Sequence, residues 1–340
     1  MIRLAERIDA LCHLGNHLLQ KDEYLEAVIH QTSYNNLWLT NENCEFALKT
    51  IATEYLSREA LEKWVSKYFI DDKIEKRTVG IIFSGHSPLE CFHDFLAAFV
   101  LGHKSLIVLD EKDKFLFPYL IKLLDRFDDR SGTLVEVVSN LSSFDAVILN
   151  GKTEKLDSFE KYFSNYPNLI RKPKNAVAIL DQSESIEDLN NLADDVFTYF
   201  GLNRRNVSKL YIPQDYDFNP LMETFHERKR IILNGKYKNN FDFNYAIYLL
   251  NNEKIVANGC IILTENEDTR SRIAGMHYEF YSDREDLISK VKCKDSYISN
   301  ICSKMDLQEF EVIPFGSSLK PRLDQYLGRQ DTIHFLLSLN

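Results

Sequence analysis

Apolar positions along the first seventy residues recur at helical spacing: Leu4, Ile8 and Leu11, then Leu18 and Leu19, and later Trp38, Phe46, Ile51, Tyr55, Leu61, Trp64, Val65 and Tyr68. A stripe of that period is one face of an amphipathic helix, so several helices are predicted, each burying its stripe as a packing face. From Thr78 the rhythm changes. Thr78-Val79-Gly80-Ile81-Ile82-Phe83 is a short apolar run, followed by the breakers Ser84-Gly85-His86-Ser87-Pro88 and a helical pattern through Phe92, Phe95, Leu96 and Phe99. The strand pattern returns in Lys104-Ser105-Leu106-Ile107-Val108-Leu109, in Ala146-Val147-Ile148-Leu149 and in Ala176-Val177-Ala178-Ile179-Leu180, with a helical pattern over 115–124. Short runs that are apolar on both faces and alternate with helical patterns predict a mostly parallel sheet covered by helices. Most of that sheet is expected from about Thr78 to Phe200. In such sheets ligands lie beyond the carboxyl ends of the strands, so the loops at 84–88, 110–113 and 150–154 are expected to share one rim.

A second, smaller α/β region follows. The segment from Ile186 to Phe200 opens on Ser183-Glu184-Ser185, presents Leu189, Leu192, Val196 and Tyr199 on one side, and stops at Gly201, as a capped helix does. Strands are predicted near 208–212, 257–263 and 310–313, and residues 237–250 pack as a helix. The chain is thereby divided into an N-terminal helical region at 1–75, a doubly wound domain at 76–200, a smaller α/β domain at 201–315 and a C-terminal segment at 316–340.

Charge and composition narrow the function classes. With 340 residues the chain is long enough for two domains. A formal charge of -10 argues against a nucleic-acid partner, and the basic group Arg204, Arg205 and Lys209 is too short to reverse that. The six cysteines are widely spaced, without a C-x-x-C pair or a zinc-like His pattern, so they read as free thiols in a reducing compartment and no metal is expected. No apolar run approaches the roughly 20 residues that cross a bilayer, and the charged N-terminus does not read as a signal peptide; a cytoplasmic location with no membrane span is expected. No G-x-G-x-x-G follows the first strand, so the ordinary dinucleotide fingerprint is missing.

Several longer motifs point to a family. His93-Asp94-Phe95-Leu96, and more strongly Tyr199-Phe200-Gly201-Leu202 followed by Arg205-Asn206-Val207-Ser208-Lys209-Leu210-Tyr211-Ile212-Pro213, resemble the fatty acyl-CoA reductases of bacterial luminescence systems, members of the aldehyde-dehydrogenase superfamily. Asn165-Tyr166-Pro167 with Ile170-Arg171, His277-Tyr278-Glu279, Pro314-Phe315-Gly316, Pro321, Tyr326 and Asp331-Thr332 add to the likeness, which covers about residue 75 to the end. The resemblance implies an aldehyde-dehydrogenase-like α/β fold: a Rossmann-like cofactor domain at 76–200 and a catalytic domain at 201–315. It also implies NADPH and an acyl-CoA substrate from fatty acid metabolism. A cysteine thiolate takes the acyl group, a hydride reduces the thioester, and aldehyde leaves; that chemistry needs an activated thiol and a donor for the oxyanion.

Matched residue by residue, the chemistry is incomplete. Where the family continues Gly-Cys-Arg-Asn-Val-Ser, this chain has Asn203-Arg204-Arg205-Asn206-Val207-Ser208, so Arg204 takes the place of the nucleophile and cannot form an acyl-enzyme. His86 stands where an oxyanion-binding asparagine is expected, in Gly85-His86-Ser87-Pro88. Val108 replaces a cofactor-binding lysine, and Asp110 and Glu111 put carboxylates where a dinucleotide phosphate would lie. Gly151 is retained and Lys152 offers a replacement charge, while Glu279 and Phe315 match cofactor positions. Cys91 and Cys260 read as buried packing thiols. The resemblance therefore implies an acyl-CoA reductase-type protein with impaired chemistry, a pseudoenzyme with weak NADPH binding. Acyl-CoA or an acyl-transferring protein is the expected partner, and homo-oligomers are compatible with it. Two further readings contend: an active reductase using altered groups, and a non-catalytic subunit or partner-binding protein in an acyl-modifying complex.

Overall fold

The computed structural model describes residues 2–20, 22–83, 87–111, 113–150 and 156–339. The chain forms two compact units, one of residues 1–173 with 321–340 and one of residues 174–320. No described helix is long and apolar enough to cross a membrane.

The first unit opens with α1 (Leu4–Gln20), α2 (Glu23–Asn35), α3 (Asn41–Thr50) and α4 (Arg58–Val65). Asp22, Thr40 and Ser57 cap the last three by accepting a backbone N–H in the first turn. Leu11, Leu61 and Trp64 from the predicted stripes are fully buried, as is Leu14. Then follow β1 (Thr78–Ile82), α5 (Phe92–Leu101), β2 (Lys104–Val108), α6 (Leu116–Phe127), β3 (Val135–Val137), β4 (Ala146–Asn150), α7 (Leu156–Phe163) and β5 (Asn168–Arg171). The five strands lie in the order β3-β2-β1-β4-β5, all parallel. Alternate residues feed opposite faces: Val79, Ile81, Ile107 and Ile148 join the core under the N-terminal helices, and Val147 and Leu149 join Phe163 on the other side. This is the doubly wound order, and its switch point falls between β1 and β4.

The second unit contains β6 (Asn175–Ile179), α8 (Ile186–Phe197), β7 (Val207–Pro213), α9 (Phe218–His226), α10 (Gly235–Leu250), β8 (Ile255–Ala257), β9 (Ile262–Glu265), β10 (Gly275–Tyr281), α11 (Arg284–Lys294), β11 (Ile298–Cys302) and β12 (Val312–Ile313). Its sheet runs β12-β11-β6-β7-β10-β9-β8, parallel except for the β8 edge. The chain then re-enters the first unit, where α12 (Thr332–Leu337) buries Ile333 and Leu336.

Two expectations need correction. β6 and α8, read from sequence as part of the first sheet, belong to the second, because β6 pairs with β7 and β11. The division accordingly falls at Pro173 rather than near Phe200. An apolar run states that a strand is buried on both faces but not which strands flank it. The predicted single strand at 257–263 is instead two antiparallel strands, β8 and β9, on either side of Gly259, whose φ of +89° turns the chain.

Candidate functional site

Two groups of residues meet the sequence expectations, one in each unit. In the first unit β1, β2 and β4 are adjacent and parallel, so their carboxyl ends open on one edge. Val108 is the last residue of β2, and Asp110 follows it, both half-buried. Pro88 is buried in the turn leading to α5. Gly85, His86, Gly151 and Lys152 lie outside the described residues.

The described part of this edge is acidic and tightly bonded. The Asp110 carbonyl accepts the Asp113 amide at 2.9 Å. The Asp113 side chain is 3% exposed, and the backbone amide of Leu89, in the turn after β1, favours its ionised form. Among the described residues its Oδ1 has no hydrogen-bond partner. Burial pushes this carboxyl up to about 7, with the Asp110 charge adding to the rise. Leu89 itself adopts φ +56°, a left-handed conformation unusual for a residue with a branched side chain.

Beside it lies a buried ionic cluster. Arg171, the last residue of β5, grips Asp94 of α5 with two bonds of 2.9 Å, and its Nη2 also donates to Thr332 Oγ1 at 2.7 Å. Thr332 in turn donates to Asp94 at 2.9 Å, and Asn150 at the end of β4 accepts from Arg171 at 3.4 Å. A second set binds the C-terminal segment. Tyr326 accepts from Trp64 at 2.7 Å, Tyr68 lies 2.6 Å from Tyr326 and donates to Asp331 at 2.7 Å, and His93 Nε2 meets the Leu323 carbonyl at 2.9 Å. The motif residues His93, Asp94, Arg171, Tyr326, Asp331 and Thr332 thus fasten the C-terminal segment to the first unit.

In the second unit Arg204 occupies a tight turn that leads into β7, and it is half-buried. Tyr199, Phe200 and Gly201 approach that turn with φ of +57°, +59° and +72°. For the two aromatic residues this conformation costs about 1–2 kcal/mol each, and strain of this kind gathers where a fold must present a residue in one pose. The turn is closed by Asn206, whose amide donates to the Asn203 carbonyl at 2.9 Å while its Oδ1 accepts the Asn203 amide at 2.8 Å. Asn206 Nδ2 donates to the Asp195 and Thr198 carbonyls at 2.8 and 2.9 Å. Ser299 Oγ donates to the Arg204 carbonyl at 2.9 Å, and Ser318 Oγ to that of Arg205. The Phe315 loop reaches the same place: the Asp195 carboxyl accepts the amides of Gly316 at 2.6 Å and Ser318 at 3.0 Å. Burial pushes Asp195 up to about 7, against the pull of those two amides.

Arg204 and Phe315 are therefore joined through one bonded frame, whereas Glu279 belongs to another. Glu279 accepts from the fully buried Lys209 at 2.5 Å, and Lys290 lies 3.5 Å from it. Lys209 also donates to the carbonyls of Asn266 and Glu267 at 3.1 and 2.7 Å. Glu279 faces Tyr211 in register, four residues beyond the start of β7 and so about 13 Å along the strand from it. It lines a polar cavity of about 640 Å³ with Gln214, Glu265 and Lys290.

Burial governs the thiols in the interior. Burial pushes Cys260 up to about 11 and Cys302 well above the usual thiol range, and Cys91, fully buried at the start of α5, accepts from Asn150 Nδ2 at 3.4 Å. Among the described residues no group of His, Cys, Asp or Glu side chains is arranged to hold a metal ion. The sequence reading missed Asp113, Asp195 and Lys209. Two of them carried a signal: Asp195 falls on the apolar stripe of α8 between Leu192 and Val196, and Lys209 sits inside a strand that is otherwise buried, so both required partners in the interior.

No protein-family model matches the sequence, and no curated protein matches it. Solved structures do match. Aldehyde dehydrogenase 21 from Physcomitrella patens superposes with a TM-score of 0.71 at 12% identity, covering 100% of this chain and 85% of that one. An NADP-dependent enzyme from E. coli gives 0.68 at 12% identity over 95% and 79% of the two chains. An NAD-dependent aldehyde dehydrogenase from Sinorhizobium meliloti gives 0.66 at 11% identity over 90% and 71%. The chain has the mixed α/β fold of the aldehyde dehydrogenases.

Proposed function

We propose that this chain is a relative of the acyl-CoA reductases that keeps the fold without the acyl-transfer chemistry, and that it holds acyl-CoA or an acyl-transferring protein without turning it over. One observation carries the reading. The turn reached through the strained Tyr199 and Phe200 presents Arg204, where the resemblance puts the attacking sulfur. A guanidinium stays protonated and has no lone pair for attack, but it pairs well with a carboxylate or phosphate such as those of CoA. The raised Cys260 and Cys302 thiols offer no thiolate instead.

The described residues at the first unit's edge do not fit a dinucleotide phosphate. Val108 supplies no charge, Asp110 and the buried Asp113 oppose an anion, and the Arg171 guanidinium is held by Asp94 and Thr332. NADPH is accordingly expected to bind more weakly than micromolar at physiological ionic strength. Calorimetric titration checks this, and micromolar or tighter binding overturns it.

Incubation with a long-chain acyl-CoA and NADPH tests the main reading. The expected result is retained CoA binding with no covalent acyl adduct by intact mass and no aldehyde; adduct and aldehyde together would sink it. Arg204→Cys is expected to gain a hydroxylamine-sensitive acyl adduct, because it restores sulfur at the end of an otherwise intact turn.

A further inference from the structure

The Arg204 turn and the Phe315 loop are far apart in sequence yet hang on one side chain. Asp195 is 1% exposed and belongs to α8, which contributes neither the turn nor the loop. Its two carboxyl oxygens accept the amides of Gly316 and Ser318, and its backbone carbonyl accepts Asn206 Nδ2, the side chain that closes the Arg204 turn. Ser318 completes the circuit by donating its hydroxyl to the Arg205 carbonyl. Shape constrains the loop as well: Gly316 has φ +81°, and a Cβ there would lie 3.1 Å from Asn191 Cβ of α8. Two amides converging on two oxygens of one carboxyl fix both the position and the tilt of the loop, which a single hydrogen bond would not.

We infer that Asp195 is a positioning residue: through Gly316 and Ser318 it sets the Phe315 loop against the Arg204 turn, so that the surface offered to the ligand is one rigid piece. The inference about the frame stands on geometry, and its ligand arm rests on the acyl-CoA reading above. Asp195→Asn is the informative change. An amide keeps the size of the carboxyl but places an NH2 against one of the two backbone N–H groups, so one of them loses its acceptor.

Hydrogen exchange on the full chain reads the frame without any ligand. In Asp195→Asn the amides of Gly316 and Ser318 are expected to exchange at least about tenfold faster, with those of Asn203, Arg205 and Asn206 following although the altered side chain does not touch them. Acceleration confined to the loop, or absent altogether, overturns the inference. Ser318→Ala provides a second route should Asp195→Asn fail to fold: it removes the hydroxyl that donates to the Arg205 carbonyl and meets the Asn300 side chain at 3.3 Å while leaving both amides on Asp195, and is expected to accelerate the turn amides while Gly316 stays protected. Unchanged turn amides in this variant overturn the inference. For the ligand arm, palmitoyl-CoA binding is compared in the same proteins. A Kd at least about tenfold weaker in Asp195→Asn, with far-UV circular dichroism unchanged, supports positioning. An unchanged Kd overturns it while leaving the acyl-CoA reading intact; no palmitoyl-CoA binding by the unaltered protein overturns the acyl-CoA reading, and the exchange data then decide the frame.

Discussion

Arg171→Ala is expected to destabilise the first unit by about 3–5 kcal/mol, because it strips the partner from a buried carboxylate. Asp94 is 4% exposed and has few alternatives: Thr332 is the only other described side chain bonded to it, and a hydroxyl does not neutralise the charge. Asp94→Ala should cost a similar amount by taking the carboxylate away from a buried guanidinium. The double variant Asp94→Leu/Arg171→Met should lose much less than the two single losses added together, since it removes both charges from the interior at once. Urea unfolding of the four proteins measures this, and a loss below about 1 kcal/mol for Arg171→Ala would show that the cluster is not the clamp described here. The same variant should speed hydrogen exchange in α12, whose first residue is Thr332.

That cluster also shows what the sequence discloses and what it withholds. Three strands of the five-stranded sheet were legible because Val79 to Phe83, Ser105 to Leu109 and Ala146 to Leu149 are apolar on both faces and spaced by helical patterns. β3 and β5 were not, because Val135–Val137 is an edge strand with two exposed residues and Asn168–Arg171 carries a polar residue at each end. The motifs His93-Asp94, Ile170-Arg171 and Asp331-Thr332 stood out in the sequence, but only coordinates bring an α5 carboxylate, a β5 guanidinium and an α12 hydroxyl together across 238 residues. Charge at a position that periodicity assigns to the interior was the available clue. Asp195 and Lys209 both gave it, and each proved to be held by several hydrogen bonds. Arg204 could be placed before a strand from sequence, whereas the left-handed approach through Tyr199 and Phe200 could not, since neither side chain favours that conformation.

The buried carboxyls Asp113 and Asp195 are expected to add stability as the pH falls from 8 to 5, opposite to carboxylates held in salt bridges and against the smaller contribution of His103, which burial lowers to about 4. Asp113 is pushed up to about 7 by burial, from an unfolded value near 3.9. A carboxyl raised in the folded state contributes stability that is fully present below the unfolded pKa and is lost as the pH rises through the folded one. Between pH 5 and 7 the folded chain holds a proton there that the unfolded chain does not, so each such group changes stability by about 2–3 kcal/mol across that window. Asp195, pushed up to about 7 in the same way, adds a second contribution of the same sign. Asp113→Asn isolates the first. The amide is neutral at every pH and close in size to the carboxyl, so stability at pH 5 should stay within about 1 kcal/mol of the unaltered chain. At pH 8 the variant should be the more stable by about 2–3 kcal/mol, because it no longer buries an ion whose Oδ1 has no partner among the described residues. Urea unfolding at the two pH values reads the difference directly. A variant that is equally stable, or less stable, at pH 8 would mean that the Asp113 carboxylate is solvated or paired when ionised, and the electrostatic argument against an anion at this edge would lose its strongest support.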